Sequence, residues 1–134
     1  MFYEHKVFYR YKIVQLVFKG FEATKVMADV LTDSKEFRRL EKNLNIELLW
    51  IYILAVLKKK DLHAYAMRKE IEEKFGFGIG EVTSYVVLYK LESRGFVSSR
   101  KQKNRKIYRI TGRGKRLLKE AADYMKKQHE KLFA

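Results

Sequence analysis

Leu48 to Leu57 form an unbroken run of ten apolar and aromatic residues. As part of a helix from Ile46 to Leu57, the run leaves no polar face: Ile46, Leu48, Leu49, Trp50, Ile51, Ile53, Leu54, Val56 and Leu57 cover nearly the whole circumference. A helix hydrophobic all round is buried all round. A membrane span needs about 20 such residues, so the run is expected at the centre of a soluble domain. Asn43 or Asn45 is placed to cap it, and Lys58, Lys59 and Lys60 follow where positive charge favours a helix C-terminus. A chain of 134 residues has few elements to enclose such a helix, so the run also argues for a homodimer.

This length fits one domain with an attached arm. Cysteine and proline are absent, which excludes disulfide scaffolds, thiol nucleophiles, zinc ribbons, iron–sulfur clusters and cis-proline turns. Lys and Arg number 30 against 16 Asp and Glu, a net charge of +14, while 47% of residues are hydrophobic. That balance describes a folded basic domain, not a disordered polycation, and the usual partner of such a domain is a polyanion. The N-terminus mixes Glu4, His5, Lys6, Arg10 and Lys12 among aromatics, without the apolar core or cleavage site of a leader. A cytoplasmic protein with no membrane partner is expected. His5, His63 and His129 are too widely spaced for metal ligation, and no nucleophile–base pattern occurs. No enzymatic activity, cofactor or metal is therefore expected.

Residues 1–33 read as an aromatic and basic extension. The alternation Val7, Tyr9, Tyr11, Ile13 favours a strand, and Glu22 to Leu31 suits a short helix. Asp33 and Ser34 can cap a helix through Leu40, after which the apolar helix follows. Asp61 is expected to cap a further helix, with Leu62, Tyr65, Met67, Ile71 and Phe75 toward the core. Gly76-Phe77-Gly78-Ile79-Gly80 reads as a turn, since it lacks the preceding strand and the Lys-Ser/Thr of a phosphate loop. A third helix, Glu81 to Arg94, is stopped by Gly95. It sets Val87, Leu88 and Leu91 on one face, with Val82, Val86, Tyr89, Lys90 and Ser93 on or near the other. Phe96-Val97 and Lys106 to Ile110 are strand-like and joined by a polar, basic bridge from Ser98 to Arg105. Thr111 caps a last helix through Leu132, where Leu118, Ala121, Met125, Gln128 and Leu132 form a short coiled-coil-like seam. Residues 34–112 are thus read as one domain and residues 113–134 as a C-terminal dimerisation helix.

From Ser93 to Lys119 there are eleven basic residues and no acidic one. A solvated surface usually mixes both signs, because like charges repel. A one-signed block on a compact fold is better explained by a phosphate backbone, whose released counterions favour binding. Helix, helix, turn, helix and basic hairpin, in that order, describe a mainly α winged helix-turn-helix. The helix at about 81–94 would enter the major groove and the wing at about 98–109 would lie on the backbone.

At this point the residues resemble the PadR-like transcriptional regulators, over about Leu48 to Lys119. Leu62-His63-Ala64-Tyr65-Ala66-Met67 is similar to that family's Leu-His-Gly-Tyr-Glu-Leu helix start. Thr83 to Gly95 resembles Thr-Leu-Tyr-x-x-Leu-x-x-Leu-Glu-x-x-Gly, and Lys106-Ile107-Tyr108-Arg109-Ile110-Thr111 with Gly114 resembles the wing strand Arg-x-Tyr-x-Leu-Thr-x-x-Gly. Ala64 replaces the usual glycine, Ser84 stands where the family has a core leucine, and Glu81-Val82 replaces a proline-glycine start. The N-terminal third has no counterpart. The resemblance implies a homodimeric repressor that binds double-stranded DNA, with a small hydrophobic effector in some relatives that nothing in this chain specifies.

The candidate DNA-binding residues are Thr83, Tyr85, Val86, Tyr89, Lys90 and Arg94 on the third helix and Lys101, Lys103, Arg105 and Lys106 on the wing. Tyr85 is suited to a phosphate, whereas Tyr89 and Lys90 are better placed for the groove. His63 and Trp50 are read as structural. Two other readings use the same surface: a sequence-tolerant coating or architectural protein, and a winged-helix protein–protein adaptor.

Overall fold

The structure, a computed structural model, describes residues 34–134. The strand expected over Val7 to Ile13 and the helix over Glu22 to Leu31 lie outside these residues. Helix α1, Lys35–Leu44, begins where the Ser34 side chain accepts from the Phe37 amide at 3.0 Å. It continues past Leu40 because no breaker intervenes, and closes with the Asn45 amide donating to the Glu41 carbonyl.

The apolar run divides into a 3-10 turn, Ile46–Leu48, and helix α2, Leu49–Lys59. Neither asparagine caps α2 with its side chain; Asn45 Oδ1 instead lies 3.2 Å from the Tyr52 hydroxyl. Leu49, Ile53, Leu54, Val56 and Leu57 are buried, whereas Trp50, Ile51, Tyr52 and Ala55 are half-buried and Ile46 is exposed. Burial all round is therefore not reached among the described residues: the helices Ala64–Phe75, Glu81–Ser93 and Gly112–Leu132 and the strand Arg105–Ile110 pack against α2 without encircling it.

Leu62–His63 forms a short strand, β1, and helix α3 follows at Ala64–Phe75. Its cap is His63, not Asp61. Pairing of β1 with the wing holds Leu62 and His63 extended, so the helix begins beyond the reach of Asp61, which pairs with Arg100 at 2.9 Å. Leu62, Met67 and Ile71 are buried as expected, but Tyr65 and Phe75 are exposed. Phe75 and Phe77 each meet the Tyr52 ring edge-on at 4.9 Å. The glycine-rich turn is more than a connector, since it feeds Phe77 and Ile79 into the core.

Helix α4, Glu81–Ser93, buries Ser84, Leu88 and Leu91. It ends in a Schellman arrangement: Gly95 at φ 79°, the Gly95 amide donating to the Glu92 carbonyl and the Phe96 amide to that of Leu91. Strands β2, Val97–Gln102, and β3, Arg105–Ile110, take up most of the expected bridge and leave Lys103 and Asn104 as the turn. The sheet is antiparallel in the order β1-β3-β2, with Leu62 opposite Tyr108 and Lys101 opposite Lys106. Helix α5, Gly112–Leu132, is capped by Thr111, whose Oγ1 accepts from the Gly114 amide at 3.1 Å and donates to the Gly95 carbonyl at 2.6 Å. This hydroxyl ties the end of α4 to the start of α5. Among the described residues no helix is long and apolar enough to cross a membrane.

Gly114 packs so tightly on the Phe96 backbone that a Cβ there would lie 2.1 Å from the Phe96 carbonyl oxygen. Gly114→Ala is expected to lower stability by about 1–3 kcal/mol or more. Gly112→Ala, whose Cβ meets nothing nearer than the Arg116 guanidinium at 3.7 Å, should leave the urea midpoint unchanged or raised. Equal midpoints for the two variants would contradict this junction.

Candidate nucleic-acid interface

Helix α4 is apolar on both sides. Its inner face packs Leu88 and Leu91 on the core, while Val82, Tyr85, Val86 and Tyr89 lie 76%, 47%, 47% and 73% exposed on the outer face. Exposed apolar side chains at one-turn spacing form a stripe that the described residues leave uncovered. Thr83 and Lys90 are exposed beside it, and Arg94 is exposed at the C-cap. Arg94 stands apart from Tyr85 by roughly 13 Å along the helix axis.

On the wing, Lys101, Lys103, Arg105 and Lys106 are all exposed. Their charges are not equally free. Glu92 of α4 takes the Lys106 ammonium at 3.4 Å and the Ser99 hydroxyl at 2.5 Å, so Lys106 also holds the wing to α4. Lys101, Lys103 and Arg105 have no acidic partner among the described residues. Lys101 and Lys106 face each other across the ladder, a like-charge pairing that destabilises a sheet unless an anion lies near.

Tyr85, Arg105 and Lys106 converge on an open cleft of about 430 Å³, which His63, Tyr65 and Asn104 also line. Tyr108 forms part of its wall, and burial pushes that phenol above its ordinary pKa, so it stays neutral. The Arg68 guanidinium lies 5.9 Å from the Tyr65 ring centre and 5.8 Å from that of Tyr85. Arg68 Nη1 also donates to the buried Ser84 Oγ at 3.1 Å, and that hydroxyl donates to the Glu81 carbonyl at 2.6 Å. The hydroxyl in the leucine position thus anchors an arginine that braces Tyr85. Sequence patterning gives Arg68 no special place, since it reads there only as part of a polar helix face. Among the described residues no three His, Asp or Glu side chains gather as a metal site requires.

The profile of the transcriptional regulator PadR-like family matches residues 53–120, from α2 into α5. The chain belongs to the PadR-like family. Solved structures agree. A transcriptional regulator from Clostridium thermocellum is 26% identical with a TM-score of 0.58, over 62% of this chain and 87% of that one. A PadR family transcription regulator from Clostridium difficile is 28% identical with a TM-score of 0.55, over 63% and 97%. Bacillus subtilis PadR, solved in complex with operator DNA, is 28% identical with a TM-score of 0.51, over 56% and 46%. A comparison with curated protein sequences gave no match. The PadR-like match spans every element that forms the cleft and the outer face of α4.

Ser84→Ala should cost about 1–3 kcal/mol, because it strips a buried partner from Arg68. A double-mutant cycle with Arg68→Ala, followed by urea denaturation, should show that the two losses do not add. Additive losses would mean that the Ser84–Arg68 bond contributes nothing to stability.

Proposed function

We propose that this PadR-like chain is a sequence-specific regulator of transcription, acting as a homodimeric repressor on double-stranded DNA. The observation that carries the reading is the continuity of two surfaces: the exposed outer face of α4 and the unpaired cations of the wing. Val82, Val86 and Tyr89 can meet base edges and thymine methyls, while Lys90 offers a cation to a groove acceptor. Lys101, Lys103 and Arg105 suit phosphates, which set register without carrying sequence information. The operator complex of Bacillus subtilis PadR supports duplex DNA as the ligand. Dimerisation is supported by α5, where Tyr124, Met125, Leu132 and the following Phe133 are exposed, and by Leu40 and Leu44 on α1.

Binding to duplex DNA should depend steeply on salt. If a dimer neutralises about 6–10 phosphates, log K falls against log [salt] with a slope of about −5 to −9. Lys101→Ala and Lys103→Ala should weaken selected and random duplexes about equally. Each should also reduce the slope by about one for every phosphate that a protomer no longer neutralises. Tyr89→Ala and Lys90→Ala should cost about 1–3 kcal/mol on the selected duplex alone. Uniform losses in both groups would favour the coating-protein reading.

Sedimentation at micromolar concentration should give about twice 16.1 kDa. A clean monomer there would rule out the homodimer.

A further inference from the structure

His63 is committed at one ring nitrogen. Its Nδ1 accepts from the Ala66 amide at 3.0 Å and so caps α3. With that lone pair used, the proton of the neutral ring sits on Nε2. Yet Nε2 lies 2.9 Å from Arg105 Nη1, and a guanidinium has only protons to offer. Two donors at this distance make no bond, and the other neutral tautomer, in which Nε2 accepts from Arg105, sets a second proton against the Ala66 amide and gives up the cap. Protonating the ring does not help, since the imidazolium would lose the cap and keep the conflict. An acceptor that takes both protons resolves it.

No side chain among the described residues fills that role. Arg105 forms no ion pair there, and the cleft that the pair shares with Tyr85 has no Asp or Glu in its lining. A second cleft that the pair also lines holds Glu70 and Glu73, of which Glu70 is taken by Lys60 and Lys74 and neither bonds to His63 or Arg105. The other polar walls of the first cleft are Tyr85, Asn104 and Lys106, and it has ample room for a tetrahedral anion. We propose that His63 Nε2 and the Arg105 guanidinium together clamp one phosphate oxyanion. The clamp joins two side chains that otherwise meet as donor against donor, at a point where β1 already pairs with the wing strand β3. It rests on the DNA reading for its occupant, a backbone phosphodiester beside the groove that α4 enters. Free inorganic phosphate has the same chemistry and is the other source.

His63→Ser keeps an oxygen to cap α3 but removes the Nε2 proton, and Arg105→Ala leaves the helix cap untouched. Duplex affinity is measured against salt for the full chain, both variants and the double variant, with thermal melts confirming the fold. The expected loss is roughly 3- to 10-fold for His63→Ser with an unchanged salt slope, because a neutral donor is removed. Arg105→Ala should lose at least as much and reduce the slope by about one per protomer. The double variant should lose less than the product of the two, since both groups hold one anion. In parallel, inorganic phosphate at millimolar concentration should shift the His63 ring signals in the NMR spectrum of the full chain, but not in Arg105→Ala.

If the wild-type chain fails to bind any duplex, the regulator reading falls, and the phosphate titration alone decides the clamp. If the chain binds DNA but His63→Ser binds as tightly, and phosphate leaves the ring signals unmoved, the clamp is overturned and the regulator reading stands. Losses that multiply independently also overturn it. Ring signals that respond to phosphate while DNA affinity is unchanged assign the clamp to free phosphate.

Discussion

Helix α2 is the body on which the other elements are mounted. Ile53 and Leu54 are fully buried, and Leu49, Val56 and Leu57 nearly so, each contributing about 1.5–3 kcal/mol by leaving water. The elements that cover α2 are the same ones that carry the proposed interface: α3 brings Arg68 and its cap His63, α4 brings its outer face, and β3 brings the wing. Because the inner residues Leu88, Leu91, Tyr108 and Ile110 are buried in this one core, the outer residues have a set direction. The angle of α4 to the wing is then locked at two points. Thr111 bonds the Gly95 carbonyl while Gly114 sits against Phe96, and Glu92 reaches from α4 to Ser99 and Lys106.

The charge block acts differently in three dimensions than along the chain. Carboxylates missing between Ser93 and Lys119 arrive from outside the wing: Asp61 on Arg100, Glu92 on Lys106. In each pair the cation is about half exposed and the carboxylate about a third, so solvent screens both and they contribute little to stability. Their effect is to tie the wing to the rest of the domain at Arg100 and Lys106 and leave Lys101, Lys103 and Arg105 without an acidic partner among the described residues. The remaining like-charge repulsion is what a phosphate backbone would relieve in the proposed complex.

Local signals foretold much of this. The caps at Ser34 and Thr111, the stop at Gly95 and the two faces of α4 follow from neighbouring residues alone, and the structure bears them out. Exposure was legible in the same way for Val86, Tyr89 and Lys90 on the outer face and for Lys101, Lys103 and Arg105 on the polar bridge. What escaped depends on long-range pairing. Two residues are too few to show a strand period, so β1 was invisible until β3 lay beside it, and with it went the cap at His63 and the partner of Asp61. The burial of Phe77 and Ile79 inside a glycine-rich turn, and the grip of Ser84 on Arg68, likewise need the helix-to-helix distance. Among the described residues the apolar run from Leu48 is less buried than its hydrophobicity suggests, because hydrophobicity reports what a helix can bury and not what packs against it.

The central claim is that the outer face of α4 and the wing meet duplex DNA together. Amide shift mapping by NMR tests it most directly, with a duplex selected from a random pool added to the isotopically labelled chain. The account predicts that the largest shifts fall on Val82 to Lys90 and on Lys101 to Lys106, with the His63 ring moving alongside them. Shifts confined to α1 and the C-terminal half of α5, with α4 and the wing unmoved, would contradict it.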